Sequence, residues 1–312
     1  MLSRGRKQRV LTRRLRGGLC ALALVLAAVT ASAALPAVAS AGVDDWVHIW
    51  EVVRLAEYQQ SQPSPPPGVF VYLLGDSIGR ESVVSDASWK KAMAKKAAAA
   101  GKVTVSAAYD VSGHNQTFGE DEKIVQGLPS TPLGRPKGIV LIGVGISRFI
   151  GPPKADVHPA SLPGTNIEPP PLSAWVQHHY DGRRPLPLSR KRELVPRWMD
   201  SRWTGFKAYR KDNVAKIQEV VDLCQSKGLR PIILELPLDL RVVGSGLDRP
   251  LHAIRNDMTR LASREGIRYI RFDRALNLPT SSFWDLHHLL RPGYERWQAR
   301  LSAEVVKGLP KP

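Results

Sequence analysis

The sequence predicts an α/β fold: a three-layer α/β/α arrangement around a five-stranded, mostly parallel sheet. Three observations predict it. From residue 69 to the C-terminal end, apolar runs of strand length alternate with longer segments of helical periodicity, and that alternation builds a parallel sheet covered on both faces. The chain has 312 residues, 43% of them hydrophobic and 23% charged. That is enough for one domain of roughly 200 to 270 residues with its own core, and it excludes disordered and collagen-like classes. Only two cysteines, Cys20 and Cys224, are present, which excludes a disulfide framework, and no CxxC or CxxxH spacing marks a zinc site.

The N-terminal segment reads as targeting rather than fold. Arg4, Arg6, Lys7, Arg9, Arg13, Arg14 and Arg16 make residues 1–18 basic, and residues 19–41 carry no charge and end in Ala39-Ser40-Ala41. A basic region, an apolar region and a small-x-small ending predict a signal peptide. The apolar stretch is also long enough to span a bilayer as an uncleaved anchor. Thr12-Arg13-Arg14 resembles a twin-arginine signal, although Arg16 stands where an apolar residue is expected. Both readings place the domain outside the cytoplasm, secreted or membrane-anchored. These arginines and Lys7 also supply a large part of the formal net charge of +17. The remaining basic residues are scattered without a continuous stripe, which reads as an arginine-rich composition with no dedicated partner; no nucleic-acid partner is expected, and an anionic envelope surface stands as the alternative.

Residues 42–68 predict an amphipathic helix followed by a linker. Trp46, Ile49, Trp50 and Val53 share one helical face behind an acidic start, and the prolines of QQSQPSPPPG end it. The domain proper, 69–312, then opens with a buried strand at 69–74. A helix at 86–100, a strand at 102–109, a polar and partly helical segment, and a strand at 138–145 follow. A long helix at 205–227 has Phe206, Val214, Ile217, Val221 and Cys224 on its apolar side and Gly228 as its stop. Strands at 231–237 and 268–272 and helices at 250–265 and 292–307 complete the alternation. Cys224, on an apolar helix face, is a core residue.

Residues 147–203 break this rhythm. They hold ten of the 25 prolines, along with Trp175, Trp198, Trp203 and the His178-His179-Tyr180 cluster. Such an insertion predicts a lid or substrate-binding cap. The histidine pair has no partner at metal-ligand spacing and reads as part of a solvated loop.

The chemistry-bearing residues lie at strand ends, where ligands bind in parallel sheets. Ser77, in Gly75-Asp76-Ser77-Ile78, follows the first strand at a strand-to-helix turn, which would expose its hydroxyl at the top of the sheet beside the turn's amides. Asp285 and His288, in FWDLHHLLRPG, are three apart, so at a helix start they would share a face with the carboxylate against the imidazole. His287 would point elsewhere and support from behind. Glu235 and Asp273 end the fourth and fifth strands and read as capping or loop-anchoring carboxylates.

Taken together these blocks resemble the SGNH/GDSL hydrolase family, over residues 69–308. GDSI at 75–78, VSGHN at 111–115, IGVGIS at 142–147 and DLHHL at 285–289 occur in the family's order. The resemblance implies an SGNH-hydrolase-like, flavodoxin-like fold. It implies Ser77 as nucleophile, Asp285 and His288 as the rest of a catalytic triad, and an oxyanion hole from the N–H groups of Ser77 and Gly113. No metal and no organic cofactor are implied. The departure is at the third block, where Ser147, followed by Arg148, occupies the family's asparagine position. Loss of one oxyanion donor costs about 2.7 to 4 kcal/mol of transition-state stabilisation, so Ser147 must donate through its shorter hydroxyl or Asn115 must take its place. The expected function is an exported esterase cleaving an O-acyl ester of an envelope glycan or lipid. Acyl transfer to a cell-envelope polysaccharide through the same residues, and catalytically weak glycan binding, stand as alternatives.

Overall fold

The structure, a computed structural model, describes residues 44–155, 167–272 and 276–312. The N-terminal 1–41 segment, part of the insertion and Asp273 lie outside the described residues. Among the described residues no helix is long and apolar enough to cross a membrane.

Helix α1 (Asp45–Ser61) is capped by Asp44, whose carboxylate accepts the Trp46 N–H, and buries His48, Ile49, Trp50, Val52, Val53 and Ala56 against the domain. There follow β1 (Val69–Leu74), the single-turn α2 (Ser77–Arg80), α3 (Asp86–Ala99), β2 (Val105–Asp110), α4 (Phe118–Gly127) and β3 (Ile139–Val144). The second half comprises α5 (Leu188–Ser226), β4 (Arg230–Glu235), the short α6 (Leu240–Val243), α7 (Asp248–Glu265), β5 (Arg268–Ile270) and α8 (Arg291–Lys307).

The five strands form one sheet in the order β2-β1-β3-β4-β5, and every pairing is parallel. Side chains alternate between two apolar layers because successive strand residues face opposite ways. Phe70, Tyr72 and Leu74 pack with residues of α1, α4, α5 and α7, whereas Val69, Val71 and Leu73 pack with α3 and α8. The three-layer arrangement follows. With β2 and β3 on opposite sides of β1, the topological switch point, where such sheets bind ligands, lies beyond the carboxyl ends of β1 and β3.

Two elements differ from the sequence expectation. The long helix begins at Leu188, not near 205, and runs for 39 residues with Pro196 inside it. Proline there removes one helical donor, but burial of Lys191, Val195 and Trp198 holds the added turns on the domain. The insertion therefore ends as helix. Its earlier part is pinned as well: Ser173 donates to Glu51 at 2.7 Å from its N–H and 2.5 Å from its hydroxyl, and the Leu186 N–H donates to the Trp284 carbonyl at 2.8 Å. His178 is packed rather than solvated, with Nε2 3.1 Å from the Val84 carbonyl and its ring stacked 4.1 Å from Tyr294.

Beneath this strap lies a buried polar cluster. The Asp86 carboxylate accepts the Asp110 N–H at 2.8 Å, and Asp110 accepts Gln177 Nε2 from the strap at 3.0 Å. His48 lies 3.9 Å from Asp86 and stacks on Trp175. Burial pushes Asp86 up to about 7 and Asp110 well above the usual carboxylate range, and lowers His48 to about 4. A carboxyl that binds its proton more tightly when folded contributes stability that is lost as pH rises through its folded pKa. The opposing effect of His48 is confined below the ordinary histidine pKa of about 6.5. The advantage of a protonated Asp86 is therefore lost between the ordinary carboxylate pKa of about 4 and its folded value of about 7, and in a thermal-denaturation series Asp86→Asn, which stays neutral, should lose less melting temperature than the wild type across that range.

Candidate active site

Asp76 and Ser77 form the turn at the end of β1. Asp76 caps α2, its Oδ1 accepting the Ile78 N–H at 3.0 Å. Ser77 is the first residue of that turn, so its N–H is among the donors a helix start leaves without an intrahelical partner. Gly75 and Gly79 let the turn sit close to the sheet: a Cβ on Gly79 would lie 2.8 Å from Ser112 Oγ, itself bonded to the Leu73 carbonyl.

The structure brings Ser77, His288 and Asp285 together. Ser77 Oγ lies 3.0 Å from His288 Nε2, and His288 Nδ1 lies 2.9 Å from Asp285 Oδ2. An ionised carboxylate only accepts, so Nδ1 carries the proton and Nε2 accepts from the Ser77 hydroxyl. Burial disfavours the imidazolium, yet the hydrogen bond and charge of Asp285, with Glu81 and Asp76 further off, outweigh it and raise the His288 pKa. Burial likewise opposes ionisation of Asp285, but the His287 and His288 rings and the His288 N–H hold its carboxyl well below the usual range.

Asp285 and His288 do not stand at a helix start as their spacing implies. They occupy a bend closed by the Phe283–Leu289 bridge, and α8 begins only at Arg291, with a proline in its first turn. The carboxylate shapes this bend itself: Asp285 Oδ1 accepts the N–H groups of His287 and His288 at 2.9 and 2.8 Å. The bend is held from outside by Lys191, whose fully buried Nζ donates to the carbonyls of Thr280 and Phe283 at 2.8 and 2.7 Å. Nothing in the sequence singles out Lys191, because its role depends on a helix start that the prolines conceal.

The expected oxyanion donors are arranged differently. The Gly113 N–H donates to the Gly75 carbonyl at 3.3 Å, because the chain leaving β2 stays beside the end of β1. The Ser147 hydroxyl donates to Asp76 Oδ2 at 2.7 Å, so its proton is engaged with the turn that carries Ser77. A serine lacks the reach of asparagine and finds the buried carboxylate next to it. Asn115 is exposed, adopts a left-handed conformation at φ 55° and lines the same cleft as Asp76 and Ser147. Arg148 is absorbed by structure: its guanidinium donates to Asp121 at 2.8 Å and to the carbonyls of Gly143 and Gln116 at 2.6 and 3.2 Å. Glu235 is held by Arg255, at 3.0 Å from Nε, and by Tyr269 Oη at 2.8 Å.

His287 is half-buried with Nε2 3.7 Å from Asp285 Oδ2, and burial lowers its pKa. Ligand atoms of Asp285, His287 and His288 all lie within 4.8 Å of one another, which makes them the group among the described residues that could hold a metal ion. An ion there would compete for the nitrogens and carboxylate that already form the bonds to Ser77 and within the bend. On the other side of His288, Tyr180 of the strap stacks on Trp284 at 4.3 Å and lies 4.7 Å from the His288 ring. Arg183 sits over both aromatic rings.

No protein-family model matches the chain, and no curated protein does. Among solved structures it is similar to an acetylxylan esterase from Geobacillus stearothermophilus, at 11% identity and a TM-score of 0.47 over 78% of this chain and 96% of that one. It is also similar to a lipase/acylhydrolase from Enterococcus faecalis, at 13% identity and a TM-score of 0.42 over 78% and 98% of the two chains. A member of the lipolytic G-D-S-L family from Veillonella parvula gives 15% and 0.43 over 78% and 100%. At these values the likeness carries no argument about chemistry, which rests on the site itself.

Removal of the Ser147 hydroxyl would leave one oxygen of the buried Asp76 carboxylate without its donor. Ser147→Ala should therefore lower stability by about 1 to 3 kcal/mol, read from denaturant unfolding, whereas Ser147→Thr, which keeps the hydroxyl, should lose less.

Proposed function

We propose that the chain is a serine ester hydrolase of the SGNH/GDSL type that acts on an O-acyl ester outside the cytoplasm. The single observation that carries this reading is the unbroken sequence of hydrogen bonds from Ser77 Oγ through the His288 ring to Asp285, at 3.0 and 2.9 Å, at the switch point of a parallel sheet. The extracytoplasmic part of the proposal rests on the basic and uncharged segments of residues 1–41.

In the proposed reaction Ser77 Oγ attacks the acyl carbonyl as its proton passes to His288 Nε2. The tetrahedral intermediate then expels the alcohol, which takes that proton from the imidazolium, and leaves Ser77 acylated. Water repeats the sequence with His288 again as base and releases the carboxylic acid and free Ser77. Asp285 keeps the ring in the productive tautomer and stabilises the imidazolium. The Ser77 N–H faces the developing oxyanion, and the Asn115 amide, on the rim of the same cleft, is the side-chain donor that would join it. The stacked rings of Tyr180 and Trp284 beside His288 offer a flat apolar surface of the kind on which a sugar ring packs, which favours a glycan ester.

A fluorophosphonate probe should label the wild type at Ser77 and fail on a folded Ser77→Ala protein; equal labelling of the two would overturn the reading. His288→Ala should lower kcat by roughly 100- to 10,000-fold, while His287→Ala should retain most of it. Because a general base must be neutral and the His288 pKa is raised, kcat/KM should climb with pH through an apparent pKa above the ordinary histidine value of about 6.5. Asp285→Asn, which removes the group that raises it, should move that limb downward.

A further inference from the structure

Two open clefts flank the Ser77–His288 pair. One is lined by Leu194, Arg197, Trp198, Ser201 and Arg202 of α5 together with residues 285–288. The other is lined by Asp76, residues 115–117 and residues 147–152, and again by Arg202. Leu194, Trp198 and Arg202 recur every four residues, and Arg197 and Ser201 flank them, so one stripe of α5 faces the opening. Arg197 and Arg202 are both exposed, and neither has a carboxylate within ion-pair distance among the described residues. Arg190 and Arg210 of the same helix, by contrast, pair with Glu193 and Asp257. The acids beside the clefts are turned to other partners: Asp285 has both oxygens engaged with His287 and His288. Asp76 has both engaged with Ile78 and Ser147. The charged side chains at the mouth whose hydrogen-bonding atoms are left open among the described residues are therefore the guanidiniums of Arg197 and Arg202, and Arg202 is close enough to His287 to disfavour that ring's protonation.

We propose that Arg197 and Arg202 form an anion-recognition site that selects acyl esters whose alcohol carries a carboxylate or a phosphate. The inference rests on the ester-hydrolase reading and adds the substrate's charge to it. A guanidinium binds either anion through two parallel N–H donors. Both arginines lie on the helix that runs past His288, so the bound anion belongs on the leaving alcohol, which His288 protonates, rather than on the acyl chain. As uniform binding of the anion in ground state and transition state, the preference appears mainly in KM.

The test compares propyl acetate with 3-acetoxypropyl phosphate and 4-acetoxybutanoate at low salt, where exposed charges are least screened. The wild-type kcat/KM should be about tenfold or more higher for at least one of the charged esters, and which one responds separates phosphate from carboxylate recognition. In the Arg197→Gln/Arg202→Gln protein the ratio of charged to neutral ester should fall toward one. Arg190→Gln, a loss of one charge at a position already paired with Glu193, should leave the ratio as in the wild type. A second measurement needs no turnover: binding of 3-hydroxypropyl phosphate and 4-hydroxybutanoate to the Ser77→Ala protein by calorimetry, which should weaken about tenfold or more when both arginines are replaced. Hydrolysis without an arginine-dependent charge preference would overturn this inference and leave the hydrolase reading standing. Arginine-dependent binding with no hydrolysis of any ester would overturn the hydrolase reading instead. Equal binding by both proteins would overturn the anion site outright.

Discussion

The carboxylate of Asp45 joins four segments that meet beside the turn carrying Ser77. It accepts two hydrogen bonds from the Arg80 guanidinium at 3.1 and 2.8 Å, the His114 N–H at 2.7 Å and the Trp175 indole N–H at 2.9 Å. Those donors belong to the turn that carries Ser77, the loop after β2 and the insertion, while Asp45 itself opens α1. Arg80 is buried and also bonds Glu81 at 3.2 Å. A buried ion pair of this kind contributes little net stability compared with apolar packing, but removal of one member is costly because the other charge is left stranded. Its value is geometric, since four segments that share no secondary structure are held in one arrangement.

The architecture was largely legible in the sequence because burial on both faces writes itself as continuous apolar runs. VFVYLL at 69–74 and IVLIGV at 139–144 admit little but buried strands. The helix start at Leu188 was not legible. Its first turns contain Pro196 and several arginines, a composition that reads as loop, and only the contacts of Lys191 and Trp198 with the rest of the domain override it. Local propensity is a weak guide where tertiary burial decides.

At the site, residue types were legible and partners were not. Ser77, Asp285 and His288 stand in recognisable spacing, and the structure brings them within hydrogen-bond reach of one another. The destinations of the Gly113 N–H and the Ser147 hydroxyl were hidden, because each depends on which acceptor the folded sheet sets beside it, the Gly75 carbonyl and the Asp76 carboxylate. Arg148 illustrates the same limit from the opposite side. It stands next to the departing position, yet Asp121 and two carbonyls consume its donors. Arg197 and Arg202 carry no sequence signature at all, since their distinction is the lack of an ion-pair partner among the described residues.

The hydrogen bond between Ser77 and His288 joins residues 211 positions apart, and the bend that carries His288 follows all five strands in the sequence. During synthesis the serine emerges early and the imidazole almost last. A chain that stops short of the bend therefore holds Ser77 without the imidazole that accepts its proton, and bringing the two together requires closure of a long loop. Such an order leaves the Ser77 hydroxyl without its imidazole partner until the bend has folded.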